Sequence, residues 1–255
     1  MINTFFAIFL KDLRIAIKTP VGYVLSASYL FISGFFFFNY LVAFNPAQKM
    51  SAITGENILN FNTGVIVPLY QAQMVILLFI IPLVAMKAIS EEKARGSLEL
   101  ILSTRISLLS LVLGKWCAVY SLLAGVICLG FVYPLSIVIF GDPEVLPVFS
   151  GLLGLLLYAA VLSAMGIFIS SMTHNQSVAG IVTLILSFGW FLVDAPFSSD
   201  GSDIAIFVRS ISLASSTDRL LHGVISLPAV YLFVSSSVFF IFLAVQMLSL
   251  PRGSR

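Results

Sequence analysis

The 255-residue chain is 60% apolar, 13% aromatic and only 9% charged, with a mean hydropathy of +1.10. Soluble domains carry roughly 25% charged residues, so a water-soluble fold could not cover this much apolar surface. A crossing takes about 20 residues, which leaves room for six or seven spans and excludes a separate soluble catalytic domain. The net charge of +2 gives no reason to expect nucleic acid binding.

Residues 2–18 have the periodicity of an amphipathic helix. Ile2, Phe5, Phe6, Phe9, Leu10, Leu13, Ala16 and Ile17 fall in one arc, with Lys11, Arg14 and Lys18 opposite. A cationic, aromatic-rich helix of this kind lies in the membrane interface rather than across it. Thr19-Pro20-Val21-Gly22 separates it from the first long apolar run. No small-residue cleavage site succeeds a short apolar core near the N-terminus, so this end is read as uncleaved.

Six runs are long enough to span, at about 21–42, 66–88, 110–140, 147–170, 177–194 and 228–249. None carries an ionisable group in its middle. Pro82 and Pro134 fall inside the second and third runs and predict kinks there. Ala159, Ser163, Gly166 and Ser170 in the fourth run, and Ala179, Thr183 and Ser187 in the fifth, form small-residue stripes that let helix backbones approach. The Phe35–Phe38 block reads as lipid-facing or packing surface. Cys117 and Cys128 lie eleven residues apart in one run, about 16 Å along a helix, too far for a disulfide.

Assigning the connections alternately puts Lys11, Arg14, Lys18, Lys87, Lys93, Arg95, Arg105, Lys115, Arg252 and Arg255 on one side, against Lys49, Arg209 and Arg219 on the other. Cytoplasmic enrichment of Lys and Arg places both termini in the cytoplasm. The last residues, 250–255, resemble a protease-site remnant, and the bias survives without Arg252 and Arg255.

The densest charge cluster, residues 90–105, lies between the second and third spans. Gly96 breaks it, Ser97 is placed to cap a new helix with Glu99 in its first turn, and Leu98, Ile101 and Leu102 make a short apolar face. A solvated loop and a short helix with a docking face both fit this periodicity. The string from Glu91-Glu92-Lys93-Ala94-Arg95-Gly96-Ser97-Leu98-Glu99 to Thr104 closely resembles the cytoplasmic signature of the type-two ABC exporter permeases, with Arg105 where a proline is usual. Residues 216–227 resemble the segment before the last span in permeases of the gliding-motility and copper-enzyme-maturation type.

The resemblance implies one permease domain over residues 1–255 of a bacterial inner membrane protein. It would have an interfacial helix, six spans, a coupling helix within 90–105 and external re-entrant helices within 195–227. It implies an ATPase-coupling interface at Glu91, Glu92, Arg95, Gly96, Ser97, Leu98, Glu99, Ile101 and Leu102, with the glutamates facing cations on the ATPase. Arg209, Asp218, Arg219 and His222 become candidates for the external gate. The implied partners are a dimer of ATPase subunits, which would hold ATP and Mg, and a second permease, identical or homologous. The chain has no G-x-x-x-x-G-K-[ST] string, so no nucleotide, metal or other cofactor is expected on it. An ion-coupled secondary transporter would need carboxylates or histidines at membrane depth, and an intramembrane enzyme a nucleophile with its base. Both these classes, and a structural subunit without transport, rank below the exporter reading.

Overall fold

The computed structural model describes residues 2–54, 60–98, 106–141, 143–197 and 202–249. Helix α1 (Ile2–Lys18) ends at the expected break, and α2 (Pro20–Thr54) starts on Pro20, whose fixed φ suits a first helical position. The two meet so closely that a Cβ on Gly22 would collide with the carbonyl oxygen of Ala16. At 35 residues, about 52 Å, α2 runs well past the expected end at residue 42, and its apolar portion is Gly22–Phe44.

The second span begins with a π-helical turn, Asn62–Ile66, continues as α3 (Val67–Ala85) and, after a break at Met86, as α4 (Lys87–Ala94). The third is α5 (Leu108–Gly130) followed by α6 (Val132–Phe140). Pro134 lacks an N–H for the carbonyl of Gly130, four residues back, and the helix breaks there, at Phe131. Pro82 does not break the chain at its own position; the discontinuity falls four residues later, where the hydroxyl of Ser170 reaches the carbonyl of Met86.

The fourth span is α7 (Val145–Met172), and the fifth apolar run forms α8 (Gln176–Phe191), started by Asn175, whose side chain accepts from Ser177 N at 2.9 Å. Two short helices, α9 (Asp203–Ile211) and α10 (Leu213–Leu221), precede α11 (Leu227–Ser249). Among the described residues, five helices are long and apolar enough to cross a membrane, and α8 is a shorter apolar one of 16 residues.

Helix α7 is the central post: 72% of its most apolar stretch is buried inside the chain, against 17% for α2. α11, α3, α10, α5 and α8 pack around it. The small-residue stripe explains the closeness. A Cβ on Gly166 would stand 2.5 Å from Ala85 Cβ, and Ser163 accepts the indole N–H of Trp116 at 3.1 Å. The outer helices leave Phe31, Phe35 and Phe38 on α2, Ile181 and Ile185 on α8, and Val234, Val238 and Phe242 on α11 exposed, a surface suited to lipid or another membrane helix. Ser235 and Ser237 donate to backbone carbonyls one turn back, as serines in apolar helices usually do.

Candidate coupling site

The charged segment begins not as a loop but as a helix. α4 prolongs the second span, and Ser170 of α7 makes the joint. Its hydroxyl accepts from the N–H groups of Ile89 (3.1 Å) and Ser90 (2.9 Å) and donates to the carbonyl of Met86 (3.0 Å). A side chain inserted into the hydrogen-bond ladder satisfies both free ends, so the break falls at Met86 rather than at Pro82. One residue along, Lys93 Nζ donates to the carbonyl of Ser171. α4 is thereby fastened to the end of the central helix.

Gly96 then turns the chain with φ of 71°, a conformation that costs glycine little, and helix resumes at Ser97–Leu98. Ser97 Oγ donates back to the carbonyl of Glu92 at 3.3 Å. Glu99, Leu100, Ile101, Leu102 and Arg105 lie outside the described residues, as do Asp200, Arg252 and Arg255.

The acidic pair divides. Glu91 forms an i,i+4 ion pair with Arg95 at 2.6 Å, at the surface, where Arg95 is 73% exposed. Glu92 turns inward: its Oε1 lies 2.9 Å from Lys115 Nζ and 3.5 Å from Lys11 Nζ. Lys115, on α5, is 3% exposed and also pairs with Asp12 of α1 at 3.2 Å. Two carboxylates thus hold one buried ammonium, joining the N-terminal helix, the extension of the second span and the third span. α1 seats against α5 at Gly114, where a Cβ would stand 3.0 Å from Ile8.

This geometry corrects two expectations. Glu92 is not a rim charge free for a partner's cation, since it is engaged inside the chain. Leu98 is fully buried within the chain, which takes it off the surface a partner would touch. Sequence reasoning placed neither Lys115 nor Asp12 in a site, although a lysine six residues into an apolar run demands a buried carboxylate, and Asp12 is the one acid in the N-terminal helix.

The four gate candidates lie at the opposite end of the bundle. α10 packs on α7 near Gly154, whose Cβ would stand 3.2 Å from Leu220 Cβ, about 24 Å along α7 from Ser170. Asp218 accepts from Gln71 of α3 at 2.8 Å and lies 3.7 Å from His222, and Arg219 donates to Ser216 at 3.1 Å. Arg209 sits apart, on α9. Gln71, Asp218, Asp194 and Ser215, the last two hydrogen-bonded, line a cleft of about 330 Å³.

A helical bundle with long apolar helices, an amphipathic N-terminal helix and a charged helical extension of its second span is that of a multi-pass membrane protein. Residues 6–250 match the family model of the ABC-2 family transporter protein, and the chain belongs to that family. Membership makes it an ABC permease, a membrane subunit, and implies partnership with an ABC ATPase. No curated protein matches the sequence significantly.

Proposed function

We propose that this chain is the membrane-spanning subunit of an ATP-driven exporter whose separate ATPase subunits bind ATP and Mg and dock on the segment after Gly96. The observation that carries this reading is the Glu92–Lys115–Asp12 clasp. A displacement of the segment at Ser97 would move α4 as a lever fixed to the second span, and the clasp would pass it to α1 and α5 together. Coupling by a rigid helix requires that connection and asks for no catalytic group in the membrane subunit. Two such chains, identical or related, would enclose the path over an ATPase dimer.

In the same reading the chain sits in the bacterial inner membrane, both termini and the α4 end are cytoplasmic, and α9 and α10 form an external gate around Asp218, Arg219 and His222. That the α4 and α10 ends lie at opposite ends of α7 supports the assignment. Surface-directed labelling of single cysteines at Ser97 and Ser202 tests it, and reaction of both from one side of the membrane would overturn it.

Docking is tested by Ile101→Asp and Leu102→Asp. An unpaired charge in an apolar contact should cost on the order of 2 to 4 kcal/mol of association. Co-purification with the ATPase should fail while the membrane subunit stays folded. Full assembly and ATP turnover in both variants would remove the docking assignment.

A further inference from the structure

The cleft of about 330 Å³ between α3, α8 and α10 lies deep along the bundle rather than at its rim. Helix α7 gives the scale. A Cβ on Gly151 would stand 2.4 Å from Tyr70 Cε2, and one on Gly154 would stand 3.2 Å from Leu220 Cβ and 3.4 Å from Thr217 Cγ2. Gln71 follows Tyr70 and Asp218 follows Thr217, so the polar lining of the cleft is level with Gly151–Gly154. That is about 9 to 14 Å along the helix from Val145, the first residue of α7. The surface suited to lipid extends at least as far out as Val145, because Phe140, Val145, Leu146 and Phe149 are all exposed there. With a hydrocarbon core about 30 Å thick beginning near Val145, the cleft approaches the midplane, about 15 Å down.

Two carboxylates stand at that depth. Asp218, whose side chain is 45% exposed, accepts from Gln71 at 2.8 Å, and Asp194 accepts from Ser215. Among the described residues no lysine or arginine lines the cleft. Arg219 donates to Ser216 instead, and the nearest titratable neighbour of Asp218 is His222, at 3.7 Å. Neutral donors alone do not compensate a carboxylate in hydrocarbon, so an open ionisable group at membrane depth faces water. Asp194 follows α8 and Asp218 belongs to α10, so neither sits within a long apolar helix and hydropathy along the chain gives no sign of them.

We infer that this cleft is a water-filled vestibule reaching from the α10 end of the bundle toward the bilayer midplane, and that it admits cationic solutes and turns away anions. Two carboxylates between low-dielectric walls focus a negative potential along the cleft and raise the local concentration of cations. Met74, Val75 and Phe191 complete the lining, and no group of three metal-ligating side chains occurs among the described residues. Such walls suit an organic ammonium better than a chelated metal ion. The inference deepens the gate reading by naming a class of solute, and it rests on that reading only for which face is external. Water access and charge preference are measured on the membrane subunit alone.

The full chain carrying Cys117→Ala and Cys128→Ala receives Val75→Cys or Ala214→Cys in the cleft, or Phe149→Cys on the exposed apolar face at shallower depth. Each variant is placed in phosphatidylcholine nanodiscs, whose two faces are both open. It is then treated with membrane-impermeant methanethiosulfonates ending in trimethylammonium or in sulfonate, with rates scaled to those of a free thiol. Both cleft positions should react, and Phe149→Cys at least about tenfold more slowly. The scaled rate with the cation should exceed that with the anion by about tenfold at low salt, and Asp194→Asn with Asp218→Asn should bring the ratio near one. No reaction in the cleft, equally fast reaction of Phe149→Cys, a ratio near or below one, or a ratio unchanged in the double variant overturns the inference. Should the double variant fail to fold, about 1 M salt takes its place, and a ratio that does not fall overturns the inference too. Loss of the ATPase-docking reading would leave these rates unchanged, and a sealed cleft would leave docking intact.

Discussion

The two ends of the bundle are held together by different physics. At the α4 end, one ammonium that is 3% exposed is gripped by carboxylates from two other elements, and a serine hydroxyl splices a broken helix. At the α10 end, contacts are individually weaker. Ser212 and Thr217 satisfy backbone groups of α10 itself, Leu213, Leu220 and Leu221 are buried in a helix that packs on α7, and the polar groups of the cleft remain partly exposed. Buried, reciprocally dependent charges make a joint that moves as a unit or not at all. Caps and apolar contacts let a short helix shift with little penalty. The proposed lever lies at the first kind of end and the proposed gate at the second.

The sharpest way to break the contrast is Lys115→Met. Removing the buried cation leaves Asp12 and Glu92 facing each other with only the half-exposed Lys11 to compensate them, at a cost of about 3 kcal/mol, seen as a fall in the thermal midpoint of the purified chain. Combining it with Asp12→Asn and Glu92→Gln should restore most of that loss, because the one charge then left unpaired, Lys11, is half-exposed. A triple variant no better than the single one would show that Lys115 acts by packing instead.

Ser170→Ala strips the splice at Met86 and orphans two buried N–H groups. We expect about 1 to 3 kcal/mol, with faster amide exchange at Ile89 and Ser90 than at residues of α3. Unaltered exchange there would mean that α4 needs no help from α7.

At the other end, Asp218→Asn should cost only about 0.5 to 1.5 kcal/mol, since Gln71 can still donate to the amide oxygen. A thermal loss as large as that of Lys115→Met would erase the distinction between the ends. The smallest effect belongs to Arg95→Gln: its ion pair with Glu91 is exposed, worth about 0 to 0.5 kcal/mol and weakened further by salt. A salt-independent loss above about 1 kcal/mol would place Arg95 in a buried contact.

Much of the fold was legible in the chain because apolar length and period report directly on what lipid demands of a backbone. The membrane class, the first helix with its break at Thr19-Pro20, the turn at Gly96 and the family resemblance all arise from local composition and spacing. Helices within 195–227 were also readable, from apolar residues too dense for a solvated loop. The turn at Gly96 within the charged segment was legible, but not what its inner side meets, since spacing along one helix says nothing of what stands across from it.

Tertiary structure alone decided which member of the acidic pair faces inward. Glu91 and Glu92 differ by about 100° around α4, and only the approach of Lys115, 23 residues further on, makes one a surface charge and the other part of a buried clasp. The position of the break in the second span was decided the same way. Pro82 marks a weakness along the helix, but the hydroxyl of Ser170, 84 residues from Met86, determines where the ladder parts. Sequence sets the local preferences of a membrane helix, whereas the satisfaction of its buried charges and freed backbone groups depends on partners that only packing brings within reach.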